Sequence, residues 1–486
     1  MEIRMIWALL ALSAAPVHAA LDVDLQSPAS IKTAAKAIAA NLMTYYHGLE
    51  PGQTPGILPG PPPNGDYYWW EGGALWGTMV DYWHYTNETE YNFETEHSLT
   101  FQANSPQNNY MPPNWTASLG NDDQGFWGMS AMLAAENNFQ NPPEDKPQWL
   151  ALAQAVFNTQ AARWDTEHCG GGLRWQIPFS NNGYNYKNAI ANGILFNLGA
   201  RLARYTGNET YAKWATKVYD WTEDVGYIDS EWNIYDGGHV EKNCTDINKA
   251  QFSYTAAIFI QGLGFMYNYT NASPMWEARL KGLASRTVEV FFETGAAVEV
   301  ACELQTHVQC TTDMLSFKGY LHRFLAQTLQ VAEPVRDIVL PSLRKSAEGM
   351  AQGCNPDGTC GFRWNTGSYD GQTGAGQQMN ALGALMSLLV VEEYVPPPLT
   401  NATGGTSVGK ADAGGDPDVE QVVLKPLTTA DRAGAGILTL LGLLGMGAYM
   451  AFMSANWGEG AKWVDNRPEK EIADAVGTHL SPPTRV

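Results

Sequence analysis

The sequence predicts an all-α fold, an (α/α)6 barrel whose six helical hairpins close into a toroid, followed by a linker and a single C-terminal membrane helix. Three observations lead there. Apolar residues recur at helical spacing along most of the chain, as in Ile190, Ile194, Leu195, Leu198 and Leu202, and alternating strand patterns are scarce. A degenerate repeat punctuates these stretches: Tyr85-Thr86-Asn87-Glu88-Thr89, Tyr205-Thr206-Gly207-Asn208-Glu209-Thr210 and Tyr269-Thr270-Asn271-Ala272-Ser273 each follow an apolar stretch and precede a more polar one. Their tyrosines are 120 and 64 residues apart, close to two units and one unit of about sixty residues. The interval from Pro28 to Glu393, divided by six, gives the same unit. Inner helices of such a toroid are apolar, outer ones amphipathic, and the ends of the inner helices surround a concave pocket.

Taken in order, residues 1–19 read as a secretory signal: Arg4 gives a short positive region, 5–15 an apolar stretch, and Val17-His18-Ala19 a small-residue cleavage site. One folded domain is expected over 20–395. Its helices are predicted at 28–47, 71–85, 91–103, 124–138, 148–162, 187–205, 209–225, 250–269, 274–293, 313–332, 334–352 and 373–393. The triplet Pro396-Pro397-Pro398 opens a linker over 396–432, rich in Gly, Ala, Thr and Asp. Residues 433–455 carry no charge and are long enough to span a bilayer. A glycolipid-anchor signal competes with that reading, but such a signal ends with its apolar tail, and here a polar tail follows over 456–486. The expected location is therefore the secretory route and the plasma membrane, with the large N-terminal part outside the cell.

Export agrees with the other surface signals. Asn87, Asn114, Asn208, Asn243, Asn268 and Asn401 each begin an Asn-x-Ser/Thr glycosylation triplet; Asn271 does too, but Pro274 follows it closely. The six cysteines are an even set for an oxidising compartment. Cys302 with Cys310 and Cys354 with Cys360 could close short loops, which would leave Cys169 with Cys244, though spacing alone does not fix connectivity. The net charge of −21 argues against nucleic acid or an anionic membrane surface as partner. Neither metal nor cofactor is expected: His97, His168, His239, His307 and His322 form no ligand-spaced set.

The chemistry centres on Gly120-Asn121-Asp122-Asp123-Gln124, at the start of an apolar helical stretch. Adjacent acids repel, so burying both is unfavourable unless something uses them. Paired carboxylates are what glycoside cleavage needs, one as acid and the other as nucleophile or base. A helix N-terminus also favours aspartate with no such role. Around the pair, turn-like segments carry sugar-binding residue types: 67–73, 169–176, 186–188, 232–237, 361–364 and 376–380. From these, Trp70 and Trp175 are expected to stack on sugar rings, and Asn188, Tyr235 and Asp236 to line the pocket, Asp236 gripping hydroxyls.

Tyr-Tyr-Trp-Trp-Glu-Gly-Gly at 67–73, Asn-Asp-Asp-Gln at 121–124, Cys-Gly-Gly-Gly-Leu-Arg-Trp-Gln at 169–176 and Tyr-Lys-Asn at 186–188 resemble glycoside hydrolase family 76, the endo-α-1,6-mannanases, in its fungal cell-wall branch. The resemblance spans about residues 22–395. It implies an (α/α)6 fold and a retaining mechanism, with Asp122 as nucleophile and Asp123 as general acid/base. It further implies an α-mannan or glycolipid-anchor glycan as donor and wall glucan as acceptor. A plain mannan hydrolase and a non-catalytic mannan-binding wall protein are the competing readings, and the intact acid pair argues against the second.

Overall fold

The computed structural model describes residues 20–304, 309–392, 395–415 and 429–460. Helices dominate it. In chain order they are α1 (Pro28–Met43), α2 (Trp69–Thr86), α3 (Asn92–Phe101), α4 (Asn121–Glu136), α5 (Trp149–Ala162), α6 (Ala189–Thr206), α7 (Glu209–Asp224), α8 (Ser253–Tyr269), α9 (Pro274–Phe291), α10 (Phe317–Val331), α11 (Arg336–Gln352), α12 (Ala375–Glu392) and α13 (Thr429–Gly460). The first twelve coincide with the helical stretches predicted from the sequence. One two-stranded antiparallel ribbon joins β1 (Tyr186–Asn188) to β2 (Gly237–His239).

The even-numbered helices pack in sequence, α2 on α4, α4 on α6, α6 on α8, α8 on α10 and α10 on α12, and α12 returns to α2, which closes a ring. The odd-numbered helices lie outside it: α5 against α4 and α6, α7 against α6, α9 against α8, and α11 against α12. Composition explains the division. α4 is buried at every position from Gln124 to Glu136, as a helix surrounded by helices must be. α7 buries only Tyr211, Ala212, Ala215, Val218, Tyr219, Trp221 and Thr222, one face at three- and four-residue spacing. The Tyr-Thr-Asn-like repeat falls at the C-terminal ends of α2, α6 and α8. There Asn87, Gly207 and Asn271 take left-handed backbone angles that end the helix or the turn after it.

Disulfides join Cys169 to Cys244, Cys302 to Cys310 and Cys354 to Cys360. All six glycosylation asparagines are exposed. Asn268, however, is engaged at both ends of its amide: Nδ2 donates to the Val331 carbonyl at 3.1 Å and Oδ1 accepts from Arg204 Nε at 2.8 Å.

The linker expectation needs correction over its first half. Residues 396–415 are strapped to the barrel rather than free. Leu399 N–H donates to the Glu136 carbonyl at 2.7 Å, Asn401 N–H to the Tyr205 carbonyl at 2.9 Å, and Lys410 N–H to Gln154 Oε1 at 2.6 Å. Asn158 Nδ2 donates to the carbonyls of Ala411 and Ala413 at 2.9 and 3.0 Å. The segment is short of apolar side chains, so backbone hydrogen bonds do the fastening, and composition carries no trace of them. The chain divides into a compact unit ending at Asp416 and a second unit from Pro417 onward that contains α13. Among the described residues no helix is long and apolar enough to cross a membrane. The span expected at 433–455 runs into positions whose side chains lie outside the described set, and the signal at 1–19 and the polar tail from 461 lie outside it altogether.

Candidate active site

The N-terminal ends of five inner helices, α2, α4, α6, α8 and α10, converge on a cavity of about 580 Å³. Trp69 and Trp70 open α2, Asp122 and Asp123 sit in the first turn of α4, Asn188 caps α6, Tyr254 lies in the first turn of α8 and Phe317 begins α10; all line the cavity. Helix N-termini carry partial positive charge. Their convergence gives carboxylates a favourable place where, among the described lining residues, there is no lysine, arginine or histidine.

The acid pair is held from both directions. Asp123 folds back over the start of α4, and its Oδ2 accepts the Gly120 N–H at 2.6 Å. Asp122 Oδ1 accepts the Asp123 N–H at 3.1 Å. The Gly-rich loop then pins this turn to β1: Asn121 N–H donates to the Trp175 carbonyl at 2.8 Å, and Trp175 N–H to the Tyr186 carbonyl at 2.7 Å. Beneath it, Arg163 Nε donates to Asn121 Oδ1 at 2.8 Å. The motif at 169–176 thus serves the acid pair through its backbone as well as through its tryptophan.

Burial raises both carboxyls. Asp123 is pushed up to about 7, chiefly by desolvation and also by the charge of Asp313, against the Gly120 amide, which favours its anion. Asp122 rises well above the usual carboxylate range through desolvation and the charge of Asp123, against the Asp123 amide and the Trp175 side chain. Such neighbours titrate as a unit, and the burial of both favours retention of a proton by the pair.

Gly120 has a spatial reason to be glycine. A Cβ there would lie 2.2 Å from Asp122 Oδ1 and 3.2 Å from Asp123 Oδ2. Its backbone φ of −87° is open to any residue, so Gly120→Ala should leave thermal stability within a few degrees while displacing the carboxyl. An ångström-scale displacement in a reacting group costs on the order of 10²-fold in rate, and steady-state kinetics beside a thermal melt will check that separation.

Of the other expected site residues, Trp70, Trp175, Asn188 and Asp236 line the cavity. Trp70 is buried, stands 4.5 Å from Phe126 between ring centroids, and donates its indole N–H to Asp313 Oδ1 at 2.9 Å. Trp175 is 36% exposed at the cavity wall, and its side chain hydrogen-bonds to Asp122. Gly183, at φ +94°, allows the close backbone approach behind it, since a Cβ would meet the indole at 2.3 Å. Asn188 also caps α6, its Oδ1 accepting the Ala191 N–H at 3.3 Å. Asp236 is raised by burial; its Oδ2 accepts from Tyr186 Oη at 2.8 Å and Asn248 Nδ2 at 3.1 Å.

Tyr235 is a correction. It does not line the cavity; its hydroxyl donates to Asp229 Oδ2 at 2.8 Å and closes its own turn. Side chains alternate along extended backbone, so Tyr235 and Asp236 point to opposite sides. Two further segments of the expected ring also fall away from the cavity: Trp364 is buried against His322, and Gln378 is buried in α12. Tyr186, in the expected segment 186–188, lines the cavity as well, whereas the sequence reading missed Tyr254, Asp313, Phe126, Phe317 and Trp115, which also line it. Tyr254 stacks on Phe317 at 3.7 Å.

Comparison with known proteins agrees with this geometry. The model of Glycosyl hydrolase family 76 matches residues 30–402. Mannan endo-1,6-alpha-mannosidase DCW1 of Saccharomyces cerevisiae is 43% identical over 425 residues, 86% of this chain and 92% of that protein. Its relative DFG5 from the same yeast is 42% identical over 427 residues, 86% of this chain and 91% of that protein. The crystal structure of Dfg5 from Chaetomium thermophilum in complex with glucosamine superposes with a TM-score of 0.77 at 52% identity, covering 81% of this chain and 97% of that one. An α-1,6-mannanase from Salegentibacter, inactivated by asparagine at two adjacent aspartates and bound to α-1,6-mannotriose, shares the fold at a TM-score of 0.59 and 19% identity, over 75% of this chain and 100% of that one. The chain is an enzyme and belongs to glycosyl hydrolase family 76.

Proposed function

We propose that this enzyme is a retaining endo-α-1,6-mannosidase and transglycosidase that cleaves the mannose core of glycolipid anchors and transfers the anchored wall proteins to glucan. The observation that carries the proposal is the Asp122–Asp123 pair in the first turn of α4, facing a cavity rimmed by aromatic side chains. The names of the fungal relatives and the mannotriose held by the Salegentibacter mannanase support the α-1,6-mannoside as donor. Export through the signal at 1–19 and tethering by 433–455 would keep the enzyme at the plasma membrane, its catalytic unit toward the wall.

In the proposed reaction Asp122 attacks the anomeric carbon while Asp123 protonates the departing oxygen. Asp123, now a base, then activates a sugar hydroxyl or water to release the covalent mannosyl-enzyme. Short side chains on adjacent residues favour the ~5 Å carboxyl separation of retaining enzymes over the wider inverting one. Asp122 must enter as the anion. Burial and the charge of Asp123 hold the Asp122 carboxyl well above its ordinary range, so a proton on Asp122 has to pass to Asp123 before attack; the Asp123 amide, the Trp175 side chain and the positive charge developing on the sugar all favour that transfer.

The test is incubation with an α-1,6-mannan oligosaccharide and a glucan acceptor, following first-formed products by NMR. Retained α-configuration and a mannosyl–glucan product are expected. An inverted β-product would overturn the nucleophile, free mannan ends at every acceptor concentration would leave a plain hydrolase, and no turnover would overturn the α-1,6-mannoside as donor. The acid form of the pair sets the pH dependence. The pair is needed with one proton, and burial raises both carboxyls, so kcat/KM is expected to fall on the alkaline side, where the pair loses its last proton, in a profile measured from pH 4 to 9.

A further inference from the structure

The cavity holds more acid than the cleavage of one bond requires. Beside Asp122 and Asp123, it is lined by Asp236 and Asp313, and no basic side chain lines it among the described residues. Asp236 has a plain hydrogen-bonding partner set in Tyr186 and Asn248. Asp313 differs. It opens a 3-10 turn, Asp313–Ser316, that leads directly into α10, three residues after the Cys302–Cys310 bridge. Its Oδ1 accepts the indole N–H of Trp70 at 2.9 Å, its own backbone N–H also favours the anion, and burial nonetheless raises the carboxyl. The Trp70 ring is therefore fixed at its edge by Asp313, while Phe126 at 4.5 Å and Tyr320 at 5.9 Å pack against the ring itself.

An indole N–H needs only an acceptor. Asparagine, glutamine or a backbone carbonyl would serve, without the desolvation cost of an unpaired carboxylate. The choice of a charged group, at a cavity wall and with no cation facing it, calls for a use of the charge. Its surroundings identify that use. Asp122 and Asp123 face it from α4, Glu71 and Tyr68 from the start of α2, Tyr254 from α8, and Tyr320 from α10 with Arg323 behind it. Of these, Asp123 is the acid of the proposed reaction; it lines the same cavity as Asp313, whose charge adds to burial in raising its carboxyl.

We propose that Asp313 is a third functional carboxylate of this centre, a positioning residue that aims the Trp70 ring at the bound sugar and supplies the negative charge that Asp123 faces while it acts as an acid. The inference rests on the glycosidase reading above. Repulsion between Asp313 and Asp123 disfavours ionisation of Asp123, so the proton stays available for the leaving oxygen at a pH where an ordinary aspartic acid has lost it.

Asp313→Asn keeps an acceptor for Trp70 and removes the charge; Asp313→Ser removes it in a smaller side chain; Asp313→Glu retains it. Each is assayed against wild type on an α-1,6-mannan oligosaccharide from pH 4 to 9, with thermal melts alongside. In Asp313→Asn the basic limb of the kcat/KM profile is expected to move down by about one pH unit, which lowers kcat/KM on that limb about tenfold, mostly in kcat, with KM within about twofold. Asp313→Ser should move the limb the same way, and Asp313→Glu should hold it near the wild-type position. An unmoved limb in a folded neutral variant overturns the proposal, as does a change confined to KM. Failure of both neutral variants to fold also overturns it, because removing a buried unpaired charge should not destabilise unless the role is structural. A wild-type enzyme inert on α-1,6-mannosides at every pH would instead refute the functional reading, a distinguishable result.

Discussion

Asp122→Asn and Asp123→Asn will each lower turnover of α-1,6-mannan by about 10³-fold or more without unfolding the barrel. An amide cannot form the glycosyl ester and cannot give or take the proton, so either change removes a chemical step rather than a contact. The fold is spared because the local hydrogen bonds need only an acceptor. An amide oxygen at position 123 still accepts the Gly120 N–H, and one at 122 still accepts the next N–H in the turn. At high pH the variants should in fact be more stable than the wild type. Asp123 is held at about 7 when folded and titrates near 3.9 when unfolded. Between those values the folded state binds the proton and the unfolded state does not, so the group's contribution to stability is present at low pH and is lost as pH rises through about 7. The asparagine variants should therefore melt above the wild type at pH 8, with the gap closing toward pH 4. Near-wild-type turnover in either purified variant ends the catalytic assignment; a lower melting point at pH 8 ends the electrostatic account of the pair.

What the sequence could and could not convey follows from how each feature is encoded. The ring was readable because its inner helices are apolar on all sides, as α4 is from Gln124 to Glu136, and because helix ends repeat a turn-forming signal at Asn87, Gly207 and Asn271. The acid pair was readable because two adjacent aspartates ahead of an apolar run are rare without a use. Tyr235 was misread because a turn that presents an aspartate looks the same whichever way its tyrosine points, and here the hydroxyl satisfies Asp229. Asp313 and Tyr254 were missed because each is a lone residue in the first turn of, or just before, an inner helix, with no local motif; only closure of the ring brings them to Asp122 and Asp123. A rule that inner-helix N-termini face the pocket would have found both.

Arg323→Met will destabilise the barrel by about 3–5 kcal/mol, the range for removing one partner of a buried ion pair. Arg323 on α10 and Asp81 on α2 are both buried, and they join helices that are not neighbours in the ring but lie on either side of α12. Arg323 Nε donates to Asp81 Oδ2 at 2.6 Å and Nη1 to Thr78 Oγ1 at 3.0 Å, while Gln327 Nε2 reaches both Asp81 oxygens at 3.0 and 2.9 Å. Gly77 leaves room for the guanidinium, since a Cβ there would stand 3.2 Å from Arg323 Nη2. Burial nonetheless outweighs the attraction at Asp81 and leaves its carboxyl above the ordinary value despite the arginine. The pair is thus costly to break but is not itself a large net source of stability. That distinction gives the experiment two arms. The single change strands a carboxylate among apolar helices and should lower the melting temperature by roughly 5 °C, given the unfolding entropy of a domain this size. Asp81→Leu combined with Arg323→Met removes both charges and should recover most of the loss, because a well-packed apolar pair is commonly as stable as the ions it replaces. A double variant no more stable than the single one would mean that the contact registers α2 against α10 in a way apolar packing cannot. A single variant that melts with the wild type would show that the ring closes without it.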